Sequence, residues 1–209
     1  MGKSKMSRKD DILSAATELF AVQGFNGTAT SEIAARAGVA QGTVFHHFKS
    51  KENLLVAICD QLVQDYVSGL LAAAEVPGTG WEALERALRF ALDFLDERSD
   101  SISVAIRETP FLKGETYKRH HPHFQELMGR IILVYEGCLR RGEEDGSILP
   151  VKVRESAFFL HMLINGVHYS RVHDVLEAPE MKSDIIEFVR RSLSSEGTPG
   201  EKRGAGGGE

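Results

Sequence analysis

The sequence contains little cysteine, proline or tryptophan, and no segment alternates apolar and polar residues as a β-strand does. Its 209 residues include two cysteines, six prolines and one tryptophan. Cys59 and Cys138 make no disulfide framework and lack the spacing of a zinc site, which favours a reducing cytoplasm. Charged residues interrupt the apolar runs well short of the ~20 residues that span a bilayer, and no signal peptide is visible. We therefore expect a cytoplasmic protein with no membrane partner.

Enzyme motifs are missing as well. The chain has no G-x-S-x-G, no glycine-rich phosphate loop and no H-E-x-x-H. Asp93, Asp96 and Glu97 cluster, but they fit a solvated helix face. The sequence thus predicts neither enzymatic activity nor a cofactor.

Apolar residues recur instead with helical spacing along nearly the whole chain. Ile12, Leu13, Ala16, Leu19 and Phe20, for example, share one helix face. The pattern predicts an all-α fold of about nine helices. They cover roughly residues 9–23, 30–37, 41–48, a long helix from 51, 81–98, 101–108, 122–144, 152–173 and 179–193. We assign residues 1–50 to an N-terminal head, 51–194 to a larger body, and 195–209, which is rich in glycine and charge, to a disordered tail.

Charge is distributed unevenly between these parts. The chain carries a net charge of −5, yet its first 51 residues hold seven Lys or Arg against four Asp or Glu. The head is therefore basic and the body acidic. Such a head could meet phosphate while the body avoids it.

The stretch GVAQGTVFHHFKSKENL, residues 38–54, joins two short helices. Thr28 and Thr30 offer N-cap oxygens to the first helix, and Gly38 permits the turn between the two. A small apolar core would fix their angle: Ile33, Ala34, Val39, Val44 and Phe48. The arrangement predicts a helix-turn-helix.

The exposed side of the second short helix carries groups suited to reading DNA. Gln41 can pair with adenine, Gly42 allows close approach, and Thr43 can contact phosphate or a thymine methyl. Lys51 combines a side-chain charge with the free N–H groups at the start of the next helix, as in a phosphate clamp. His47 fits either a phosphate contact or a helix end. The predicted DNA-binding residues are Thr30, Ser31, Gln41, Gly42, Thr43, Phe45, His46, His47 and Lys51.

The segment FAVQGFNGTATSEIAARAGVAQGTVFHHFKSKENLL resembles the DNA-binding head of the tetracycline-repressor (TetR) family. The matches include Phe20, Gly24, Phe25, Thr28, Ile33, Ala34, Gly38, Val39, Gly42, Thr43, Phe48, Lys51, Glu52 and Leu55. The resemblance covers roughly residues 9–56 and implies a homodimeric, ligand-responsive transcriptional repressor. Its third helices would enter the major groove at the half-sites of a palindromic operator, ~34–36 Å apart or more. A small-molecule inducer would release it from DNA.

Two residues depart from the pattern of that family. Phe45 stands where tyrosine is frequent, which removes a hydroxyl donor. Ala40 stands where serine often precedes the third helix, so an N-cap worth about 1 kcal/mol is missing. We expect both changes to alter operator preference or affinity, and not to abolish DNA binding.

In the body, the segment SAFFLHMLINGVHYSRVHDVL is apolar around too much of its circumference for one core stripe. The resemblance implies that its second face packs on the same region of another subunit. A helix buried centrally within one subunit is the alternative. The predicted dimer residues are Phe158, Phe159, Leu163, Gly166, Val167, Ser170, Ile185, Phe188 and Val189.

Other body residues could line a pocket for an effector that is partly apolar, with His161 and Asn165 as its polar groups. The predicted lining is Phe90, Phe94, Ile106, Phe111, Phe124, Met128, Tyr135, His161, Met162 and Asn165. Ordinary core packing is the competing explanation for each of them.

Histidines raise a further alternative, a metal- or pH-responsive regulator. Three lie at positions 120, 121 and 123, and His161 and His168 share one helix face. A metal site needs ligands that converge from different segments, and no carboxylate or cysteine is placed to complete a set. We therefore predict no metal site. A helical binding protein that does not read DNA is the remaining alternative.

Overall fold

The computed structural model describes residues 7–108, 114–173 and 181–195, and these form nine α-helices without a named strand. The helices are α1 (Arg8–Gly27), α2 (Thr30–Arg36), α3 (Gln41–Phe48), α4 (Lys51–Glu75), α5 (Gly80–Glu97), α6 (Ser99–Glu108), α7 (Gly114–Asp145), α8 (Val153–His173) and α9 (Lys182–Leu193). The predicted all-α fold is confirmed.

Side-chain caps start several helices where the sequence changes from turn to helix. The hydroxyls of Ser7, Ser50 and Thr79 accept backbone N–H bonds at the starts of α1, α4 and α5. The predicted threonine cap of α2 is wrong. Ala29 occupies the N-cap, and its N–H donates to the Glu32 carboxylate at 2.7 Å.

Other predicted boundaries also shift. α7 begins at Gly114, so the start predicted at Pro122 is wrong and the proline lies inside the helix. Proline removes one backbone donor there, and packing of the remaining turns outweighs that local loss. The predicted start of the last helix, near residue 179, lies outside the described residues. Among the described residues, α9 begins at Lys182. Ser195 was assigned to the tail, yet its hydroxyl donates to the Gly146 carbonyl at 2.7 Å.

Two apolar cores hold the chain together. The head core contains Ile12, Phe20, Ile33, Val44, Phe48, Leu54, Leu55 and Ile58, together with Val104 from α6. The body core is built mainly from α4, α5, α7, α8 and α9. The boundary predicted at residue 50 separates the short helices from α4, but the head core continues into α4 as far as Cys59.

α4 is thus shared between both cores. It is also the one helix in the described part of the chain whose length and composition would allow it to cross a bilayer. The charged residues in the sequence predict no apolar stretch of that length. Buried core helices of other proteins have the same length and composition, and several α4 side chains are fully buried in the two cores. The length and composition of α4 are therefore weak evidence for a membrane span.

Candidate functional site

The helix-turn-helix of α2 and α3 is formed as the sequence predicts. Gly38 takes a positive φ of 66° in the turn, a conformation that glycine adopts without a steric penalty. Ile33 and Ala34 on α2 and Val44 and Phe48 on α3 are buried in the head core. The opposite side of α3 is therefore left for solvent or a partner.

The predicted DNA-binding residues lie mostly on that free side. Gln41 reaches back to α2, where its amide donates to the Thr30 hydroxyl at 3.3 Å, so the starts of both helices meet. Ser31, Gln41, Gly42, Phe45, His46 and His47 are exposed, while Thr30, Thr43 and Lys51 are half-buried. We call the residues from 30 to 47 in this set the reading face. Their role in DNA binding remains a prediction.

Gly42 and Phe45 give the reading face its shape. Phe45 is 66% exposed, which is unusual for so large an apolar ring. A Cβ built on Gly42 would meet nothing within 4 Å among the described residues. No neighbouring side chain therefore requires glycine at position 42. We expect the missing side chain to let a partner approach the backbone of α3 closely.

The body contains a partly open cavity of about 510 Å³ between α4, α5, α6, α7 and α8. Its described lining is Cys59, Leu62, Val63, Tyr66, Phe94, Ile102, Ala105, Ile106, His121, Phe124, Met128, Ile131, His161, Asn165 and His168. Six predicted residues are among these: Phe94, Ile106, Phe124, Met128, His161 and Asn165.

Three predicted pocket residues do not line the cavity. Phe90 packs on Tyr66 and Phe94, with ring centroids 6.1 and 5.5 Å away. Tyr135 is fully buried behind the wall, with its hydroxyl 3.5 Å from that of Tyr66. Met162 is 41% exposed on the outside of α8. Phe111 lies outside the described residues.

Sequence reasoning missed the α4 wall of the cavity, which consists of Cys59, Leu62, Val63 and Tyr66. Helical periodicity shows that they face inward, but not whether they meet side chains or a void. Burial raises the pKa of both Cys59 and Tyr66 to about 12, so each stays protonated at neutral pH. The α4 wall therefore brings no charge to the cavity.

Comparison with known proteins connects this geometry to a family. Residues 12–58 match the family model described as bacterial regulatory proteins, tetR family. YvkB, an uncharacterized HTH-type transcriptional regulator of Bacillus subtilis (strain 168), is 28% identical over 174 residues, 82% of this chain and 88% of the relative. Residues 12–58 therefore form a DNA-binding domain of the TetR family.

Solved structures share the fold of the whole chain. A tetR-family regulatory protein from Rhodococcus RHA1 superposes with a TM-score of 0.72 at 21% identity, covering 91% of this chain and 98% of the neighbour. FadR from Bacillus subtilis, in complex with stearoyl-CoA, gives 0.73 at 21% identity, covering 86% and 96%. At this identity the likeness shows the fold alone.

The predicted dimer residues differ in exposure. Phe158, Phe159 and Phe188 are 47, 68 and 65% exposed, and Gly166 is exposed too. Val167, Ile185 and Val189 are buried in the body core, so assigning them to a contact surface was wrong. Leu163 and Ser170 are half-buried between the two groups. We call the exposed set Phe158, Phe159, Met162, Tyr169 and Phe188 the outer face.

The described histidines of the body do not form a metal site. No group of three or more His, Cys, Asp or Glu side chains among the described residues could hold a metal ion. His123 instead meets Asp60 at 2.9 Å and ties α7 to α4. His121, His161 and His168 all line the cavity, which the sequence did not predict for His121 or His168.

Lys51 has a role that its assignment as a phosphate clamp did not include. Its ammonium donates to the carbonyl oxygens of Phe25 at 2.7 Å and Thr28 at 2.9 Å, and lies 4.4 Å from the Phe25 ring centroid. Lys51 therefore ties the start of α4 to the end of α1. The phosphate contact remains a prediction, for which the ammonium has one further N–H.

We expect Lys51→Met to destabilise the head, because two partly buried carbonyls lose a charged donor. The expected loss in the free energy of unfolding is about 1–3 kcal/mol. Urea unfolding followed by circular dichroism would measure it. Lys49→Met is the matched control, because Lys49 is exposed and its ammonium bonds only the nearby His46 carbonyl among the contacts described. Equal stability of the two variants would contradict the assigned role.

Proposed function

We propose that this TetR-family transcriptional regulator is a ligand-responsive repressor. A homodimer would bind a palindromic operator through the reading face, and a small molecule in the body cavity would release it. The observation that carries the proposal is that two walls of the cavity are also parts of the head core.

α4 makes the first connection between cavity and head. Cys59, Leu62, Val63 and Tyr66 line the cavity, while Leu54 and Leu55, about one to three turns earlier, are fully buried in the head core. Because packed interiors resist compression, a ligand that displaces the cavity end of α4 would also move its head end. The reading face follows, since α3 packs on α4.

α6 makes the second connection. Ile102, Ala105 and Ile106 line the cavity, and Val104, on the other side of the same helix, is 1% exposed within the head core. α6 packs along α1, the longest helix of the head. Effector binding and head position are thus coupled through two helices. An effector shifts the equilibrium between two arrangements of the head if it binds one arrangement more tightly than the other.

The effector itself is supported by the size and character of the cavity. A volume of about 510 Å³ lies within the range of small-molecule sites, and most of the described lining is apolar. The stearoyl-CoA complex of the FadR neighbour is consistent with a ligand in the body of this fold. The homodimer would use the outer face, which leaves large aromatic side chains uncovered in the single chain.

A mobility-shift titration with the upstream DNA of its own gene tests the function. We expect a discrete complex that needs both half-sites and weakens as salt rises, since binding releases counterions from phosphate. A complex indifferent to salt and to removal of one half-site would contradict operator recognition. No enriched site in a genomic pull-down would favour the helical binding protein that does not read DNA.

Gly42→Gln tests whether the reading face makes the contact. We expect roughly 10- to 100-fold weaker operator binding, because a side chain would occupy the space into which the DNA approaches. The fold should be retained or slightly stabilised, as glutamine has the higher helix propensity. Ala72→Gln, at an exposed body position of α4, is the control and should leave both properties unchanged. Unchanged DNA binding by Gly42→Gln would exclude α3 as the reading helix.

A further inference from the structure

Two buried histidine atoms in the cavity have no partner within the described chain. His161 and His168 are only 6 and 9% exposed, and with Asn165 they share one side of α8. The Asn165 amide donates to His161 Nε2 at 2.8 Å, which leaves the proton on Nδ1 of the same ring. Neither His161 Nδ1 nor His168 Nε2 bonds any described group. Buried polar atoms are nearly always satisfied in folded proteins, so a bound molecule is the natural partner.

The described lining of the cavity holds no carboxylate, ammonium or guanidinium, and its imidazoles are those of His121, His161 and His168. Burial lowers the pKa of His161, and burial, with His161 and Arg171 nearby, lowers the pKa of His168 to about 3. Both rings are therefore neutral at physiological pH. Arg171 is held by Asp96 at 2.6 Å and does not line the cavity.

From this arrangement we infer that the effector is an apolar molecule with one uncharged oxygen group. This oxygen accepts a hydrogen bond from His161 Nδ1 and lies against His168 Nε2. A hydroxyl, an ester carbonyl or a thioester carbonyl has this chemistry. A free carboxylate or an amine does not, because each would lose its hydration without gaining a counter-ion. The inference rests on the proposed function, in which the cavity is the effector site.

A set of molecules with one chain length and different heads tests the inference directly. Calorimetry at neutral pH would compare decanol, methyl decanoate and decanoyl-CoA with decanoate and decylamine, using the full chain without DNA. We expect decanol and methyl decanoate, whose heads carry no charge, to bind at least ~100-fold more tightly than the two ions. Binding of decanol and methyl decanoate would identify a free neutral lipid as the source, and binding of decanoyl-CoA alone a thioester. Decanoate binding as tightly as decanol, or no binding by any probe, would overturn the inference.

Variants locate the head group. His161→Phe and His168→Phe should each weaken decanol binding by about tenfold, since a buried hydrogen bond is lost. Leu71→Met, on α4 and outside both the cavity and the outer face, should change nothing. Met128→Lys places an ammonium in the lining and should reverse the preference towards decanoate. If that variant fails to fold, the head-group series on the unaltered chain still decides.

Adding operator DNA separates the two hypotheses. Tight decanol binding that leaves the DNA complex intact would refute induction through the cavity, while the ligand class would stand. Release of DNA by decanoate and not by decanol would refute the ligand class, while the inducer mechanism would stand.

Discussion

Phe159→Glu should convert the proposed homodimer to a monomer and weaken binding to the proposed operator at least ~100-fold, because a dimer gains that much from engaging two half-sites at once. Phe159 is 68% exposed, and it lies with Phe158 in a groove beside Leu133, which is 63% exposed. In a two-fold interface each substitution occurs twice, so a pair of carboxylates would enter one apolar contact. Light scattering gives the mass, and the mobility shift gives the affinity.

The control for Phe159→Glu is Leu71→Glu, on α4. Leu71 is 40% exposed but lies on a different helix from the outer face. We expect Leu71→Glu to remain dimeric and to bind the operator normally. A dimeric Phe159→Glu would place the subunit interface elsewhere, and a monomeric protein with unchanged operator affinity would exclude avidity as the source of binding.

How far the sequence predicts this protein depends on whether a property is local. Helix period, turn glycines and the composition of residues 38–54 are local, and the helix-turn-helix agrees with prediction to the residue for α3, Gln41–Phe48. The absent N-cap is also local. Ala40 occupies the N-cap of α3 and, as predicted, makes no side-chain cap bond.

Properties that depend on partners distant in sequence were predicted less well. Periodicity places Phe94 and Tyr135 on inward faces, but only tertiary packing puts the first on the cavity and the second behind it. The same limit explains Val167, which is apolar and helical but faces its own core. The same limit applies to the charged residue Lys51, because the Phe25 and Thr28 carbonyls that bind its ammonium lie more than 20 residues earlier in the sequence.

The strongest expected effect on stability comes from Gly80→Ala, at the start of α5. A Cβ on Gly80 would lie 2.0 Å from the backbone nitrogen of Gly142 and 2.3 Å from its Cα. Backbone atoms cannot turn aside as a side-chain tip does, so α5 must move away from α7. We expect the free energy of unfolding to fall by about 3 kcal/mol, at the upper end of overpacking costs. Urea unfolding would measure it.

The contacts around Gly80 explain why movement is costly. The Gly80 N–H donates to the Asp145 carboxylate at 2.6 Å, and the Trp81 N–H donates to the Ser147 hydroxyl at 3.0 Å. The end of α7 and its turn therefore satisfy the free N–H groups at the start of α5, and a shift sufficient for one methyl group would stretch both bonds.

Gly137→Ala is the matched control for Gly80→Ala. Gly137 lies within α7, is exposed, and would place a Cβ within 4 Å of no described atom. The substitution should raise stability by roughly 0.5–1 kcal/mol, because alanine has the higher helix propensity. The same chemical change thus carries opposite signs at two helical glycines, and the sign depends on whether another backbone lies opposite. Equal effects at both positions would contradict the close α5–α7 contact from which the prediction is made.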